Sequence, residues 1–438
     1  VSSKLNYCKY LSMSILNRNI NNIFFIFIFS HLIIWTLIPS LTNKNLPLDT
    51  IESIAWGSNL DWGFDKHPPM SAFFSEIFFQ IFGPNDWAFY LMSQLFVITS
   101  FYIVFKLAKE ILRDNKLSLI SVLLLESIYF YNFTTPEFNV NVCQLPFWSL
   151  VVYYSWKIYE KKEIQFKDCF LIGLFAAIGF LSKYLFIYLL ISLVLLFIYL
   201  ILIEKRKKFD FKYLIILEVF IVLLVPHLIW LFHNDFVSIF YGIKRTGLET
   251  STFINHVKYP IIFLLKQMIL LIPFFFLIWI LVKKVKFKIR LKDKRLIFLI
   301  FINLLPLTLI LITSIITGSK IRTMWMTPFY LYFGLLFVYL FKSQINLKKT
   351  KSFLHSFLIL FFLSPLLYAY VSISQSDKRT DYPGKEIAAK VKIIWEKDFD
   401  KEIEFVTGDE WKAGNLSYHL KSRPKWEGIT NNEILNNS

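Results

Sequence analysis

"DCFLIGLFAAIGFLSKYLFIYLLISLVLLFIYLILI", residues 168–203, is one apolar run interrupted near its middle by a single cation, Lys183. A helix needs about 20 residues to cross a hydrocarbon core, so a run of roughly 35 is too long for one span. Ser182, Lys183 and Tyr184 supply the break, and the run reads as two spans, 168–182 and 184–203. That division makes the total number of spans odd and puts the two ends of the chain on opposite sides of a membrane. It also leaves Lys183 at a span end. An ammonium is costly there unless it faces an anion or a cavity. Snorkelling at a helix end is the plainer reading of the same position.

The chain of 438 residues is 56% hydrophobic and 19% aromatic, with a mean hydropathy of +0.53. A soluble domain must keep its surface polar and does not reach that value. With the divided run, the pattern gives about eleven spans. They are 22–41, 86–106, 117–134, 141–157, 168–182, 184–203, 211–232, 258–282, 296–316, 324–341 and 352–373. The loops at 107–116, 158–167, 204–210, 283–295 and 342–351 are rich in Lys and Arg. Those at 42–85, 135–140, 233–257 and 317–323 carry few bases. By the positive-inside rule the basic loops and the N-terminus are cytoplasmic, and the segment after 374 is exported.

The net charge of +17 sits mainly in those basic loops, as in "EKRKK" (204–208), so nucleic acid is excluded as a partner. The first run follows Lys4, Lys9 and Arg18 and is too long for a signal-peptide core; it is expected to be an uncleaved helix. Cys8, Cys143 and Cys169 show no CxxC spacing, which speaks against a disulfide framework or a zinc knuckle. No internal repeat is visible.

The first non-cytoplasmic loop is the longest. In "DTIESIAW", Asp49 and Glu52 are three apart and share one helix face, and "LPLD" is a helix start. "AFFSEIFFQIF" (72–82) suits a helix lying in the interface plane. Between them lies "LDWGFDKHPPM" (60–70), where Pro68 and Pro69 stiffen a polar knot and Trp56, Trp62 and Phe64 pin it near the membrane boundary. Asp65 is expected to neutralise Lys66 locally. His227, in "VPHLIW", reads as a satisfied interior histidine. The last segment, "VKIIWEKDFDKEIEFVTGDEWKAGNLSYHL", alternates like a helix, a strand, a "TGDE" turn and a further amphipathic stretch. The fold class expected is an all-α polytopic membrane protein of about eleven spans. It comprises a transmembrane domain over 1–374, with amphipathic helices in its first outer loop (42–85), and a small extracytoplasmic α/β domain over 375–438.

The outer-loop stretch resembles that of integral-membrane glycosyltransferases of the GT-C type, in particular the dolichyl-phosphate-mannose protein mannosyltransferase-like and aminoarabinose transferase-like group. Asp49, Trp56, Leu60, Trp62, Gly63, Phe64, His67, Pro68, Pro69 and Met70 fall in register with that pattern without a gap. "LSKYLFIYLL" (181–190), "PHLIWLFHNDFVSIFY" (226–241) and "GSKIRTMWMTPFYL" (318–331) resemble further segments of the same group, and together the similarity covers roughly residues 20–375. Two positions depart from it. An adjacent Asp-Glu pair is common in the group, whereas here Asp49 is followed by Thr50 and the second acid is Glu52. In "FNVNVCQLPFW" (138–148), Asn141 stands where an Asp is usual.

The resemblance implies transfer of a sugar from a polyprenyl-phosphate carrier to an extracytoplasmic lipid, glycan or protein, in a bacterial inner (plasma) membrane. Such chemistry needs a base for the acceptor hydroxyl, cations for the leaving phosphate and aromatic surface for the sugar. Asp49 and Glu52 are the candidate catalytic acids. Lys183, Arg322, Lys66 and His67, with Lys320 nearby, are the candidate phosphate clamp, and Tyr184, Trp325 and Asn141 the candidate substrate contacts. No metal site is expected, because an amide at 141 binds a hard cation less well than a carboxylate, and no cofactor is expected; a divalent ion stays open. No Gly-rich phosphate loop is present for a nucleotide sugar. The alternative is a polytopic transporter or lipid flippase, which would place its polar groups at the midplane in repeated halves.

Overall fold

The computed structural model of the protein describes residues 2–161, 163–205, 208–248, 252–282 and 292–428, with side chains from residue 19 onward. In chain order the α-helices are α1 (Ser2–Thr42), α2 (Leu48–Gly57), α3 (Met70–Phe82), α4 (Asp86–Leu112), α5 (Asn115–Leu123), α6 (Val140–Cys143), α7 (Leu145–Glu160), α8 (Phe166–Ser182) and α9 (Ile187–Ile198). There follow α10 (Tyr213–His233), α11 (Val237–Thr246), α12 (Asn255–Leu270), α13 (Ile272–Leu281), α14 (Lys294–Thr317), α15 (Phe333–Phe341), α16 (Thr350–Ser374), α17 (Gly384–Asp398) and α18 (Lys412–His419). Two short strands, β1 (Phe405–Thr407) and β2 (Lys425–Glu427), flank α18 and pair in parallel.

Every apolar segment read as a span is helical. Among the described residues, six helices are long and apolar enough to cross a membrane: Asn19–Thr42, Asp86–Leu112, Tyr184–Ile203, Tyr213–His233, Lys294–Thr317 and Leu347–Ser374. Two bent pairs bring the number to eight: α12 with α13, at 49°, and the 3-10 segment Thr323–Tyr330 with α15, at 53°. A proline stands at each break, Pro273 in the first turn of α13 and Pro328 within the 3-10 segment, where its missing N–H and ring interrupt the helical ladder. The other three segments are shorter than a free-standing span. α5 gives way to 3-10 turns at Leu124 and Tyr129, α6 and α7 divide at Gln144, and α8 is 17 residues long. The run 168–203 breaks where it was read to break. α8 ends at Ser182, Lys183 is extended, and a 3-10 turn at Tyr184–Phe186 starts the next helix.

The spans are held by polar locks as well as by apolar packing. His31, fully buried on α1, has Nδ1 2.9 Å from Glu126 Oε2 and Nε2 3.2 Å from Gln94 Oε1 on α4. Gln94 Nε2 donates onward to Thr135 Oγ1 at 3.1 Å, and Ser93 Oγ donates to the Thr135 carbonyl at 2.5 Å. Buried ionisable groups in a helical bundle are affordable only when paired in this way. The sequence reading had singled out neither His31 nor Glu126. Close helix contact uses small residues: a Cβ on Gly334 of α15 would lie 1.9 Å from the Ser121 carbonyl oxygen of α5.

The C-terminal segment does not stand apart. Ala388, Val406, Leu420 and Trp426 share a core with Ala55, Trp56, Phe64 and Ala72 of the first loop. Arg423 donates to the Ile54 carbonyl (2.7 Å) and to Glu76 Oε2 (2.6 Å). On α3, Ser71, Ser75 and Glu76 are buried while Ile77 and Ile81 are 52% and 65% exposed. Its polar face therefore turns to the protein and its apolar face outward. At the opposite end of the bundle, where α7 ends and α8 and α14 begin, Lys161, Lys208, Lys212, Lys294 and Arg295 gather round a second cavity. Described bases of three of the basic loops thus share one end and the first loop lies at the other, in keeping with the alternation of charge.

Replacing Gly334 by Ala should force α5 and α15 apart, because the clash is with backbone. We expect a loss of about 1–3 kcal/mol, read as a lower Tm of the purified protein. Gly242→Ala, where nothing lies within 4 Å of the added carbon, should leave the Tm unchanged or slightly raised.

Candidate active site

The polar knot is a brace. The Phe64 N–H donates to the His67 carbonyl at 3.1 Å and closes a tight loop, and Pro69 caps α3. Gly63 lies under the Trp230 ring; a Cβ there would be 2.2 Å from it. Trp230 Nε1 donates to Asp61 Oδ2 at 2.9 Å. His227 Nδ1 donates to the Trp62 carbonyl at 2.6 Å, which leaves Nε2 to accept from Tyr184 at 2.9 Å. Tyr184 in turn is 2.6 Å from Ser238 Oγ. The histidine is a fully bonded interior group, and it ties the knot to α10, to the start of the next span at Tyr184 and to α11. Trp56 stacks on Phe64 at 5.4 Å and meets His67 edge-on at 5.9 Å.

Beside the brace opens a cavity of about 580 Å³. Asp49, Glu52, Lys66, His67, Asn141, Lys183, Tyr184 and Trp325 all line it. Of the residues singled out from sequence, Arg322 is not in the lining. It is extended backbone ahead of the 3-10 segment. Burial lowers the guanidinium's pKa from its ordinary value, and the neighbouring charge of Arg245 adds to the shift.

On the acid wall, α2 starts at Leu48 with Pro47 as its cap, which offers no side-chain acceptor. The acceptors come from elsewhere: the Asp49 N–H donates to Glu137 Oε1 at 3.1 Å, and Thr50 Oγ1 donates to the Phe138 carbonyl at 3.1 Å. Among the described residues no group donates a hydrogen bond to the Asp49 carboxylate. Burial raises its pKa, while Lys183, Arg245, Lys66 and Arg379 pull it back. Glu52 is engaged by Lys66 at 2.8 Å. Burial pushes Glu52 up to about 7 against the pull of that lysine.

Lys66 bridges two segments, since Glu410 of the C-terminal "TGDE" turn lies 2.9 Å from the same ammonium. The expected local pairing with Asp65 is therefore not what forms: Asp65 points to solvent, and Lys66 turns inward to Glu52 and Glu410. Burial, with Lys183, Lys66 and Arg245 adding to it, drives the His67 imidazole down to about 3. It is neutral at physiological pH and brings no positive charge to a clamp.

On the opposite wall Lys183 is only 6% exposed. Its ammonium donates to Asn141 Oδ1 and lies 5.3 Å from the centre of the Trp325 ring. Neither partner is charged. Burial lowers its pKa to about 7, with Asp49 opposing the shift and Arg245 adding to it. Arg245, over the Tyr241 ring at 5.7 Å, and Arg379 also face the cavity. Sequence reasoning missed Glu137, Tyr241, Arg245, Arg379 and the Asp409–Glu410–Trp411 stretch. Of these, the charged residues Glu137, Arg245, Arg379, Asp409 and Glu410 carried one signal, as charges in segments assigned to the same side. Among the described residues no cluster of three or more His, Cys, Asp or Glu is arranged to hold a metal ion.

Residues 66–230 match the family model described as dolichyl-phosphate-mannose-protein mannosyltransferase. Among solved structures, the chain is similar to ArnT from Cupriavidus metallidurans bound to undecaprenyl phosphate, with a TM-score of 0.61 and 11% identity over 94% of this chain and 86% of that one. The apo form of the same ArnT gives a TM-score of 0.59 and 11% identity over 92% and 85%. No curated protein matches the sequence. The architecture is that of a GT-C membrane protein, and the resemblance to mannosyltransferase-like and aminoarabinose transferase-like glycosyltransferases, read first from the outer-loop knot, is borne out by both findings.

Proposed function

We propose that the protein transfers a sugar from a polyprenyl-phosphate carrier to a hydroxyl of an extracytoplasmic lipid, glycan or protein, at the outer face of a bacterial inner (plasma) membrane. The observation that carries this reading is the wall opposite Asp49. Lys183 is a buried ammonium whose partners, an amide and an indole face, are both neutral, and it opens on a cavity with Arg245 and Arg379. A buried cation in that state is short of one anion. A phosphate headgroup delivered from the lipid phase supplies it, and its charge restores full protonation of Lys183. The name of the solved ArnT complex, with undecaprenyl phosphate, agrees with that class of ligand.

In this reading Asp49 is the base. The acceptor oxygen attacks the anomeric carbon, the carbon–oxygen bond to the carrier phosphate breaks, and the phosphate keeps the electron pair. The acceptor proton passes to the Asp49 carboxylate, which carries no competing hydrogen bond from the described residues. Lys183, Arg245 and Arg379 hold the leaving phosphate. Lys66 is occupied by Glu52 and Glu410, so it joins the first loop to the C-terminal segment, and Glu52 serves as its partner rather than as the base. Trp325 and Tyr184 offer faces for the sugar. The N-terminus is cytoplasmic, and the first loop and the segment after Ser374 are outside.

Mass spectrometry of surface glycolipids and glycans from a deletion strain should show one sugar-bearing species lost, restored by the wild-type gene. Asp49→Asn keeps the shape but cannot accept a proton. It should restore about a hundredth of that species or less, at normal protein levels in the membrane. Wild-type restoration by Asp49→Asn would remove Asp49 as the base and make Glu52 the next residue to test.

Sidedness has its own test. A periplasm-active reporter fused after Ser376 should be active and a cytoplasm-active one silent. The reverse pattern would sink the orientation.

A further inference from the structure

One acid that meets Asp49 comes from a different loop and lies outside the cavity lining: Glu137. We propose that Glu137 is a positioning residue for Asp49: its carboxyl caps the first turn of α2 and stands as a second acid group beside the Asp49 side chain. The proposal rests on the reading of Asp49 as the base.

Three observations carry it. First, α2 lacks a cap of its own. Pro47 has no side-chain acceptor, so the N–H of Asp49, one of the unpaired donors of the first turn, would be left open; Glu137 Oε1 takes it at 3.1 Å. The next residue is held by the same loop, through Thr50 Oγ1 to the Phe138 carbonyl at 3.1 Å. Residues 137 and 138 thus fix both the height and the rotation of α2, and with them the direction in which Asp49 enters the cavity. A displacement of about 1 Å at such a group costs on the order of a hundredfold in rate.

Second, the loop that carries Glu137 is itself anchored in the bundle. Thr135, two residues earlier, accepts from Ser93 and Gln94 of α4, and Gln94 is bonded to His31 of α1. Asn132 Nδ2 donates to the Glu126 carbonyl at 2.5 Å. The buried pair His31–Glu126 is thereby connected by hydrogen bonds to Thr135, two residues of chain before the glutamate that holds the start of α2.

Third, Glu52 is not free to act as the second acid. Its carboxylate is 2.8 Å from Lys66. The charged and titratable groups that face Glu137 are Asp49 and Glu52 on α2, Arg379, Tyr90 on α4, Tyr129, and Tyr368 on α16. Burial, with the Asp49 charge next, pushes Glu137 up to about 8. At neutral pH Glu137 therefore largely holds its proton and still accepts the Asp49 N–H.

Two measurements on the full chain test this. Infrared titration of the carboxyl C=O band, on purified protein in lipid nanodiscs, reads the acids without interference from Lys183. We expect a component titrating near pH 8 that E137Q removes. In Asp49→Asn, where the neighbouring charge is gone, the same component should move down by about one unit or more. A component that persists in E137Q, or that D49N does not move, overturns the pairing. The second measurement is restoration of the sugar-bearing species in the deletion strain. E137Q keeps an acceptor oxygen and should restore it to within about twofold, whereas E137A should fall about tenfold or more. Wild-type restoration by E137A overturns the capping role, and so does an E137Q variant no better than E137A. If E137A does not accumulate in the membrane, the E137Q and infrared results still decide. Failure of the base reading looks different: there Asp49→Asn restores the species whatever Glu137 does, and the positioning role falls with it.

Discussion

The ammonium of Lys183, buried against an amide and an indole, is the constraint from which the rest of the site follows. Taking an ion out of water costs several kcal/mol, and a neutral hydrogen bond returns only about 1–3. The chain bears that cost at the one place where its longest apolar run breaks, between α8 and the span that starts at Tyr184. Asn141 matters here by what it is not. A carboxylate at that position would form a close ion pair and neutralise the lysine, whereas the amide orients the ammonium and leaves its charge to the cavity. Asp49 across the cavity stabilises that charge at longer range.

The first loop and the C-terminal segment act as one layer over this site. Trp56 and Phe64 from one and Val406 and Trp426 from the other share a core. Arg423–Glu76 and Glu410–Lys66 link them by charge. The "FDKHPP" stretch contributes direction rather than chemistry. Its two prolines set the entry into α3, and its neighbours Asp61 and Trp62 are held by Trp230 and His227 of α10.

Much of this was legible because single polar residues in apolar surroundings are informative. Lys183 marked a break, and Asp49 and Glu52 marked a helix face. The GT-C architecture followed from the order of the outer-loop motifs. What could not be read was set by contacts between distant segments. Glu137 meets Asp49 across 88 residues of chain, and nothing in "TTPEF" distinguishes that glutamate from any loop acid. Glu410 and Arg379 reach the cavity only because the C-terminal segment folds back on α2, a contact no periodicity encodes. Arg322 reads as a clamp residue from the sequence because it is a cation at an outer span end. Arg322 has extended backbone just ahead of the 3-10 segment and lies outside the cavity lining, beside its lining residues Arg245 and Tyr241.

The central claim is that the buried charge of Lys183 awaits a lipid phosphate. Binding of undecaprenyl phosphate to the purified chain in nanodiscs, wild type against Lys183→Met, tests it most directly. Methionine keeps the length and the apolar stem but removes the charge. A charge-assisted bond of about 1.5–3 kcal/mol predicts that the variant binds roughly 10- to 150-fold more weakly, with an unchanged Tm in the absence of ligand. Equal affinity in the two proteins would contradict the account and leave Lys183 as an anchor at a helix end.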